Sequence, residues 1–297
     1  IEDFLILKYF NTFNKLKHSG IISLMKNIKA IAIGGFDGMH IGHQALFNEL
    51  KDSGAIVVIE TGYANMTPAT HREKFTDYPM FYLELDDIRH LDGMGFVDFL
   101  QENFPDLETI VVGYDFHFGK DRRYSFADLK DMFSGEVIVV NEVKHKDVSV
   151  HSHKIRKQLK DGDIKVANEF LGHNYTIEGK MTKGQGIGKK ELVATINIES
   201  EGFLIPKEGV YTTLTRIDNE EHFHPSVSFV GHRETTDGSF AIESHILDGE
   251  VQCEEKADIR FVSFIRENEK FDSLESLKKA IKLDIAKASK ELKFLQL

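Results

Sequence analysis

The sequence predicts two units of different class. The first is an α/β unit on a parallel sheet. The second is an all-β unit, a six-stranded antiparallel barrel followed by a C-terminal helix. Three observations carry this. From about residue 29 to 140, short apolar runs alternate with helical patterns, as strands do when a sheet is covered on both faces. From about residue 174 the texture changes to alternation of apolar and polar residues in six short segments. The chain then closes on the long helical stretch SLESLKKAIKLDIAKASKEL.

In the first unit KAIAIGG reads as a strand, and HQALFNELKDSG as a helix with Ala45, Leu46 and Leu50 on one face and Gly54 as its stop. AIVVIE is the next strand, FVDFLQENFP a helix ended by Pro105, and TIVVGYDF a strand. SFADLKDMF follows as a helix and EVIVVNEV as a strand. No element is assigned between Thr61 and His90, a short stretch without a clear pattern. SHKIRKQLKDGDIKVANEFLGH reads as two short helices parted by Asp161-Gly162, a connector between the units. The barrel strands are NYTIEGKM, LVATINIE, GVYTTLTRI, SVSFVG, FAIESHIL and ADIRFVSFI, with Asp218-Asn219, Asp237-Gly238 and Asp248-Gly249 in their turns. Ser273 is placed to cap the last helix, with Glu275 in its first turn. The expected boundaries are residues 1–156, 157–173 and 174–297.

Composition narrows the function classes. A chain of 297 residues suits two domains at roughly 100–200 residues each, and 41% hydrophobic with 29% charged residues suits a soluble globular protein. A net charge of −11 disfavours nucleic acid or an anionic membrane as partner, while leaving room for a local basic pocket. No run approaches the roughly 20 apolar residues of a membrane span. The N-terminus opens with acids and is broken by lysines and asparagines, unlike a signal peptide. The single Cys253 cannot form an internal disulfide and fits a reducing, cytoplasmic setting. Neighbouring carboxylates are expected to raise its pKa and leave it inert.

The first candidate site is IGGFDGMHIGHQ, residues 33 to 44. Ligands of open α/β sheets sit beyond the carboxyl ends of the strands. Glycines there let the backbone approach a phosphate, and a helix N-terminus adds unpaired N–H groups. Gly34, Gly35 and Gly38, then His40 and His43, then a helix, supply the parts of a phosphate cradle. An isolated H-x-x-H pair also fits surface residues, or a metal site for which no third ligand is obvious. The full string G-x-F-D-G-x-H-x-G-H-Q after a strand resembles the H-x-G-H signature of the nucleotidyltransferase superfamily. In detail it resembles the adenylyltransferase half of bacterial bifunctional riboflavin kinase/FAD synthetases. The first unit is then expected to be a Rossmann-like nucleotidyltransferase domain.

VVGYDFHFGKDRRYS, residues 111 to 125, resembles that family's G-x-D-F-x-F-G-x-x-R motif, with Gly113, Asp115, Phe116, Phe118, Gly119 and Arg123 in place. The resemblance implies that this motif shapes the nucleotide and flavin pocket, and that Gly34, Phe36, Asp37 and Gly38 contribute to the nucleotide cradle. The family's S-S-T-x-I-R triphosphate motif survives as Ser152, Ile155 and Arg156, with His151 and His153 in place of hydroxyls. Gly35 stands where the family usually has Asn, and no F-x-P-H-P segment follows AIVVIE.

The second candidate site lies in the barrel. Gly188 to Ile198 resembles the family's G-R-x-x-G-F-P-T-A-N-I, with Lys189 for Arg and Leu192-Val193-Ala194 for G-F-P. The resemblance implies that Thr195 and Asn197 bind Mg²⁺ and ATP phosphate oxygens, with Gly188 and Lys189 beside them. VGHRETTDG resembles N-I-G-x-R-P-T and retains Gly231, Arg233 and Thr235. FAIESHILD resembles V-E-x-H-L-L-D and places Glu243 at the family's catalytic base. FIRENEKF follows the closing I-R-x-E-x-K-F segment, with Arg266 among the binding residues.

The resemblance implies ATP, riboflavin and FMN as ligands, Mg²⁺ as the ion carried with ATP, and flavins as substrate and product. Glu243 would take the ribityl hydroxyl proton. His40, His43 and Arg156 would stabilise charge as FMN attacks the α-phosphorus of ATP. Three other readings stand beside this one: an enzyme retaining one of the two activities, a non-catalytic flavin or nucleotide binder, and a nucleotidyltransferase for another small molecule.

Overall fold

The structure is a computed structural model that describes residues 25–182, 194–218, 220–235, 237–249 and 253–294. The chain divides into two compact units, residues 1–151 and 152–297.

In the first unit, β1 (Ala30–Gly34), β2 (Gly54–Glu60), β3 (Met80–Glu84), β4 (Thr109–Gly113) and β5 (Glu136–Val140) form a parallel sheet. Their order is β3-β2-β1-β4-β5. Continuous apolar runs are needed because both faces are covered. Ile31, Ile33, Val57, Ile110 and Val112 face one cluster, and Ala32, Ile56, Val58 and Val111 face the other. Helix α1 (Ile41–Phe47) covers the second face with Leu46 and Phe47. Helices α2 (Gly93–Asn103) and α3 (Phe126–Met132) cover the first with Phe96, Val97, Leu100 and Leu129. The chain thus leaves β1 for one face and β4 for the other. Their adjacent carboxyl ends form the topological switch point, where open α/β sheets bind ligands.

Two elements differ from expectation. Helix α1 ends at Phe47 rather than running to Gly54. Gly54 opens β2 instead, where a Cβ would meet Leu50 Cβ at 2.8 Å and the Lys51 carbonyl at 2.9 Å. The Leu50 carbonyl accepts from Tyr78 Oη at 2.7 Å. Strand β3 lies in the stretch between Thr61 and His90 that carries no clear pattern. It is an edge strand of sequence MFYLE that buries Met80, Phe81 and Leu83 and leaves Tyr82 and Glu84 half-buried.

The second unit opens with α4 (Ser152–Asp161) and α5 (Ile164–Leu171), parted at Gly162 with φ +86°. The barrel follows: β6 (Thr176–Thr182), β7 (Ile196–Glu199), β8 (Gly209–Ile217), β9 (His224–His232), β10 (Phe240–Ile246) and β11 (Lys256–Glu267). It closes in the order β6-β7-β10-β9-β8-β11. Strand alternation splits β8 between two environments. Tyr211, Thr213 and Thr215 point inward. Val210 and Leu214 pack outward on Ala288 and Leu292 of α6 (Leu274–Phe294). Five buried hydroxyls form a closed ring inside the barrel. Thr213 bonds Ser226 (2.8 Å) and Ser228 (2.8 Å), Thr215 bonds Ser226 (2.8 Å) and Ser244 (2.7 Å), and Ser228 donates to Ser244 (3.1 Å).

Arg266 and Cys253 are both accounted for by this packing. The Arg266 guanidinium donates to Asp284 at 2.8 and 3.1 Å and lies over the Phe271 ring, fastening β11 to α6. This engagement makes it a strut of the fold. The Cys253 thiol is pushed up to about 11, first by burial and then by the Asp218 carboxylate, so it is protonated and inert. Asp284 is 3% exposed, and removing one partner strands the other charge. Asp284→Ala is therefore expected to cost about 3 kcal/mol, measured by denaturant unfolding of the second unit's signal.

Candidate active sites

The chain from β1 to α1 is a strained turn. Phe36 (φ +47°) and Met39 (φ +46°) occupy the left-handed region that side chains disfavour, with Gly38 (φ +89°) between them. Burial explains why they stay there. Phe36 packs edge-on against His43 and Phe47, and Met39 is fully buried. Asp37 Oδ1 accepts from the backbone N–H groups of Met66 and Thr67, both at 2.9 Å. Gly38 N–H donates to Thr67 Oγ1 at 2.7 Å. Asp37 therefore braces the turn rather than pointing an open carboxylate at a ligand.

The turn delivers His40 as the N-cap of α1. Its Nδ1 accepts from His43 N–H at 3.3 Å, which puts the ring proton on Nε2. The two imidazoles stack, with centroids 3.5 Å apart. Gly42 eases this stack: a Cβ there would lie 3.0 Å from His40 Cε1, so the ring would have to give by a few tenths of an ångström. Gly35 has room: a Cβ would meet only the Ile59 carbonyl, at 3.8 Å.

His43 is half-buried as a residue, but its Nδ1 is sealed and has no hydrogen-bond partner among the described residues. Burial, then His40, then the Arg72 cation hold its pKa well below the ordinary histidine value. It is a neutral donor near pH 7. Arg72 and Thr67 were missed in the sequence because they sit in the stretch with no motif, and Glu60 because it reads only as the end of strand AIVVIE. Arg72 is fully buried, and its Nη1 donates to Glu60 Oε1 at 2.6 Å and to the Ala69 carbonyl at 3.1 Å.

The second motif begins at the adjacent strand end. Gly113 closes β4 and Asp115 lies exposed just beyond it. Phe118 is a core residue packed on Phe96 and Tyr124, so it shapes the motif from beneath. Gly119 (φ +70°) leaves no room for a side chain, because a Cβ there would lie 2.7 Å from Tyr124 Cδ2. Arg123 is exposed and pairs with Asp121 at 3.1 Å. Ser152 and Arg156 lie four residues apart in the first turns of α4, on one helix face.

The barrel site converges on Arg233. Its Nε donates to Glu243 Oε1 at 2.7 Å and its Nη2 to Asn197 Oδ1 at 2.8 Å. Asn197 and Glu243 are cross-strand partners on β7 and β10, which is why a residue of one strand and a carboxylate of another share one guanidinium. Ser239 Oγ accepts from Arg233 Nη1 at 2.8 Å and donates to Asp237, fixing the loop after β9. His245 Nδ1–H donates to the Ala194 carbonyl at 2.8 Å and so anchors the segment carrying Thr195. His245 is a positioning residue that sequence reasoning left unassigned. Gly188 and Lys189 lie outside the described residues.

Two outcomes follow from the first site. Because the folded pKa of His43 lies below the unfolded value of about 6.5, the unfolded chain binds the extra proton in that window. Stability is lost as pH falls below about 6.5, and His43→Gln flattens that slope in thermal melts at pH 5 to 7. Gly42→Ala displaces the His40 ring, read as a shifted His40 imidazole resonance with little change in the barrel's resonances.

Comparison with known proteins matches both sites. A family model described as riboflavin kinase matches residues 171–292, and one described as FAD synthetase matches residues 23–62. The "Bifunctional riboflavin kinase/FMN adenylyltransferase" of Listeria monocytogenes is 29% identical, over 84% of this chain and 88% of the relative. The protein of the same name from Pseudomonas fluorescens is 29% identical, over 86% and 90%. A solved Streptococcus pneumoniae structure named "Macrolide-efflux Protein" superposes with a TM-score of 0.77 at 26% identity, covering 87% of this chain and 92% of that one. Among the described residues no helix is long and apolar enough to cross a membrane. The FAD synthetase match contains the His40–His43 turn, the riboflavin kinase match contains Asn197, Arg233 and Glu243, and the relatives carry both parts in one chain. Over most of its length the chain is similar to bifunctional riboflavin kinase/FMN adenylyltransferases, with a riboflavin kinase match in the barrel and an FAD synthetase match at the first turn.

Proposed function

We propose that the chain makes FAD in two ATP-dependent steps, phosphorylation of riboflavin to FMN at the barrel and adenylylation of FMN at the parallel-sheet unit. The observation that carries this reading is the Asn197–Arg233–Glu243 cluster. It gathers a carboxylate base, a phosphate-binding cation and an amide oxygen within one hydrogen-bonded group on the barrel.

In the kinase step Glu243 accepts the proton of the ribityl primary hydroxyl as its oxygen attacks the γ-phosphorus and ADP leaves. Arg233 holds the Glu243 carboxylate in place and presents its positive charge beside it. Thr195 and Asn197 offer oxygen donors, the set a hard cation prefers. Asn197 Oδ1 accepts one bond from Arg233 and keeps a second lone pair, so the residues fit Mg²⁺. When bound, that ion supplies charge neutralisation for the phosphates.

In the adenylyl step an FMN phosphate oxygen attacks the α-phosphorus of ATP and the bond to pyrophosphate breaks. No protein nucleophile is needed. His40 and His43 at the switch point donate to phosphate oxygens, and neutral His43 does so without having to lose or gain a proton during the reaction. The proposal assigns Ser152 and Arg156 to the triphosphate, and Gly113, Asp115 and Arg123 to the nucleotide and flavin.

Separate assays of the two steps test this. Glu243→Gln is expected to lower FMN formation from riboflavin by about 10²–10⁴-fold and to leave FAD formation from FMN intact. His43→Ala is expected to do the reverse, lowering FAD formation by about 10²-fold. Loss of both activities in both folded variants would overturn the division of labour. Gly35→Asn is expected to leave both activities within a few-fold, since the position has space for a side chain.

A further inference from the structure

The turn after β8 and the start of β9 gather Glu220, His222 and His224, whose ligand atoms all lie within 4.8 Å of one another. The cluster is remote from the proposed kinase site. His224 is five residues along β9 from Phe229, the register partner of Glu243, about 17 Å at 3.3–3.4 Å per residue.

Alternation along the chain sets the cluster up. Phe223 turns to the outer face of the barrel, where the Arg260 guanidinium lies 3.8 Å and that of Arg216 5.0 Å from its ring centroid. It also packs against the cluster of Leu214, Val262 and Leu292. With Phe223 clamped outward, His222 and His224 emerge on the other side, their ring centroids 4.7 Å apart. Glu220 is held by the same turn, its N–H donating to the Ile217 carbonyl at 3.0 Å.

His224 lies between two carboxylates. Its Nε2 lies 2.7 Å from Glu220 Oε2, and its Nδ1 lies 3.4 Å from Asp248 Oδ1. A neutral imidazole carries one N–H, so it can donate to one of these carboxylates only. With the Nδ1–H turned toward Asp248, the Nε2 lone pair is available to a metal ion beside the Glu220 carboxylate. Asp248 then takes the place of the outer carboxylate that orients a metal-bound histidine. Small side-chain rotations bring the three donors to the ~2.0–2.2 Å bond lengths of a zinc site.

We propose that Glu220, His222 and His224 form a binding site for a late first-row divalent cation such as Zn²⁺, with a water in the fourth position. Two imidazoles and one carboxylate favour Zn²⁺, Ni²⁺ or Cu²⁺ over Mg²⁺, so the ion accompanying ATP does not compete for it. Bound metal ties the β8–β9 turn to the end of β10 through Asp248 and stabilises that end of the barrel.

The test is calorimetric titration of the full, tag-free, chelator-stripped chain with Zn²⁺ in excess Mg²⁺, alongside thermal melts. One Zn²⁺ per chain is expected at micromolar concentrations, with a raised melting temperature. His222→Ala and Glu220→Gln should each weaken that site by about tenfold or more, and the melting temperature of each variant should rise less on adding Zn²⁺ than that of the wild-type chain. Absence of Zn²⁺ binding to the wild-type chain, or wild-type affinity in either variant, overturns the proposal.

Discussion

Asp37 holds a backbone that would not otherwise keep its shape. Phe36 and Met39 sit at positive φ, a conformation that costs on the order of 1–3 kcal/mol for each side-chain-bearing residue. Two backbone N–H groups of the 66–67 segment close on one Asp37 oxygen, and Thr67 offers its hydroxyl oxygen to the Gly38 N–H. The burial of Phe36 and Met39 completes the hold. The geometry of the first site descends from this: the entry of the chain into α1, His40 as its cap, and the stacking of His43 upon it.

The two sites use different electrostatics. At the switch point His43 is kept uncharged by burial, by His40 and by Arg72, whose own charge is paired with Glu60. In the barrel a permanent cation, Arg233, is shared between an amide and a carboxylate. That pairing holds the Glu243 carboxylate in one orientation beside Asn197.

Much of this was legible in the sequence because strong local patterns coincide with tertiary ones. The parallel strands announce themselves through apolar runs, and the barrel strands through alternation. Glycine spacing marked the turn at 34–42, and the structure explains Gly42 by the His40 ring over it. Strand β3 went unassigned although its MFYL run is apolar and buries Met80, Phe81 and Leu83, because so short a run does not by itself separate strand from helix. Phe118 and Arg266 are part of motifs, yet one is core and the other is locked to Asp284. A motif records that a residue type is needed, without separating contact with a ligand from support beneath it. Arg72, Glu60 and His245 act through pairings between distant segments, and local pattern carries no trace of those.

The hydroxyl ring inside the barrel has its own consequence. Five side chains from β8, β9 and β10 make five hydrogen bonds, so each oxygen can give one proton and receive another around a closed circuit. With Ser228 donating to Ser244, the circuit runs in one sense, each hydroxyl passing its proton to the next. It also acts as a combination lock on strand alignment. Sliding any of the three strands by one position turns its hydroxyls outward and brings apolar groups against the remaining polar oxygens, breaking the circuit at once. The centre of this barrel is therefore directional where a hydrocarbon core would be indifferent, and correct pairing is checked from the inside.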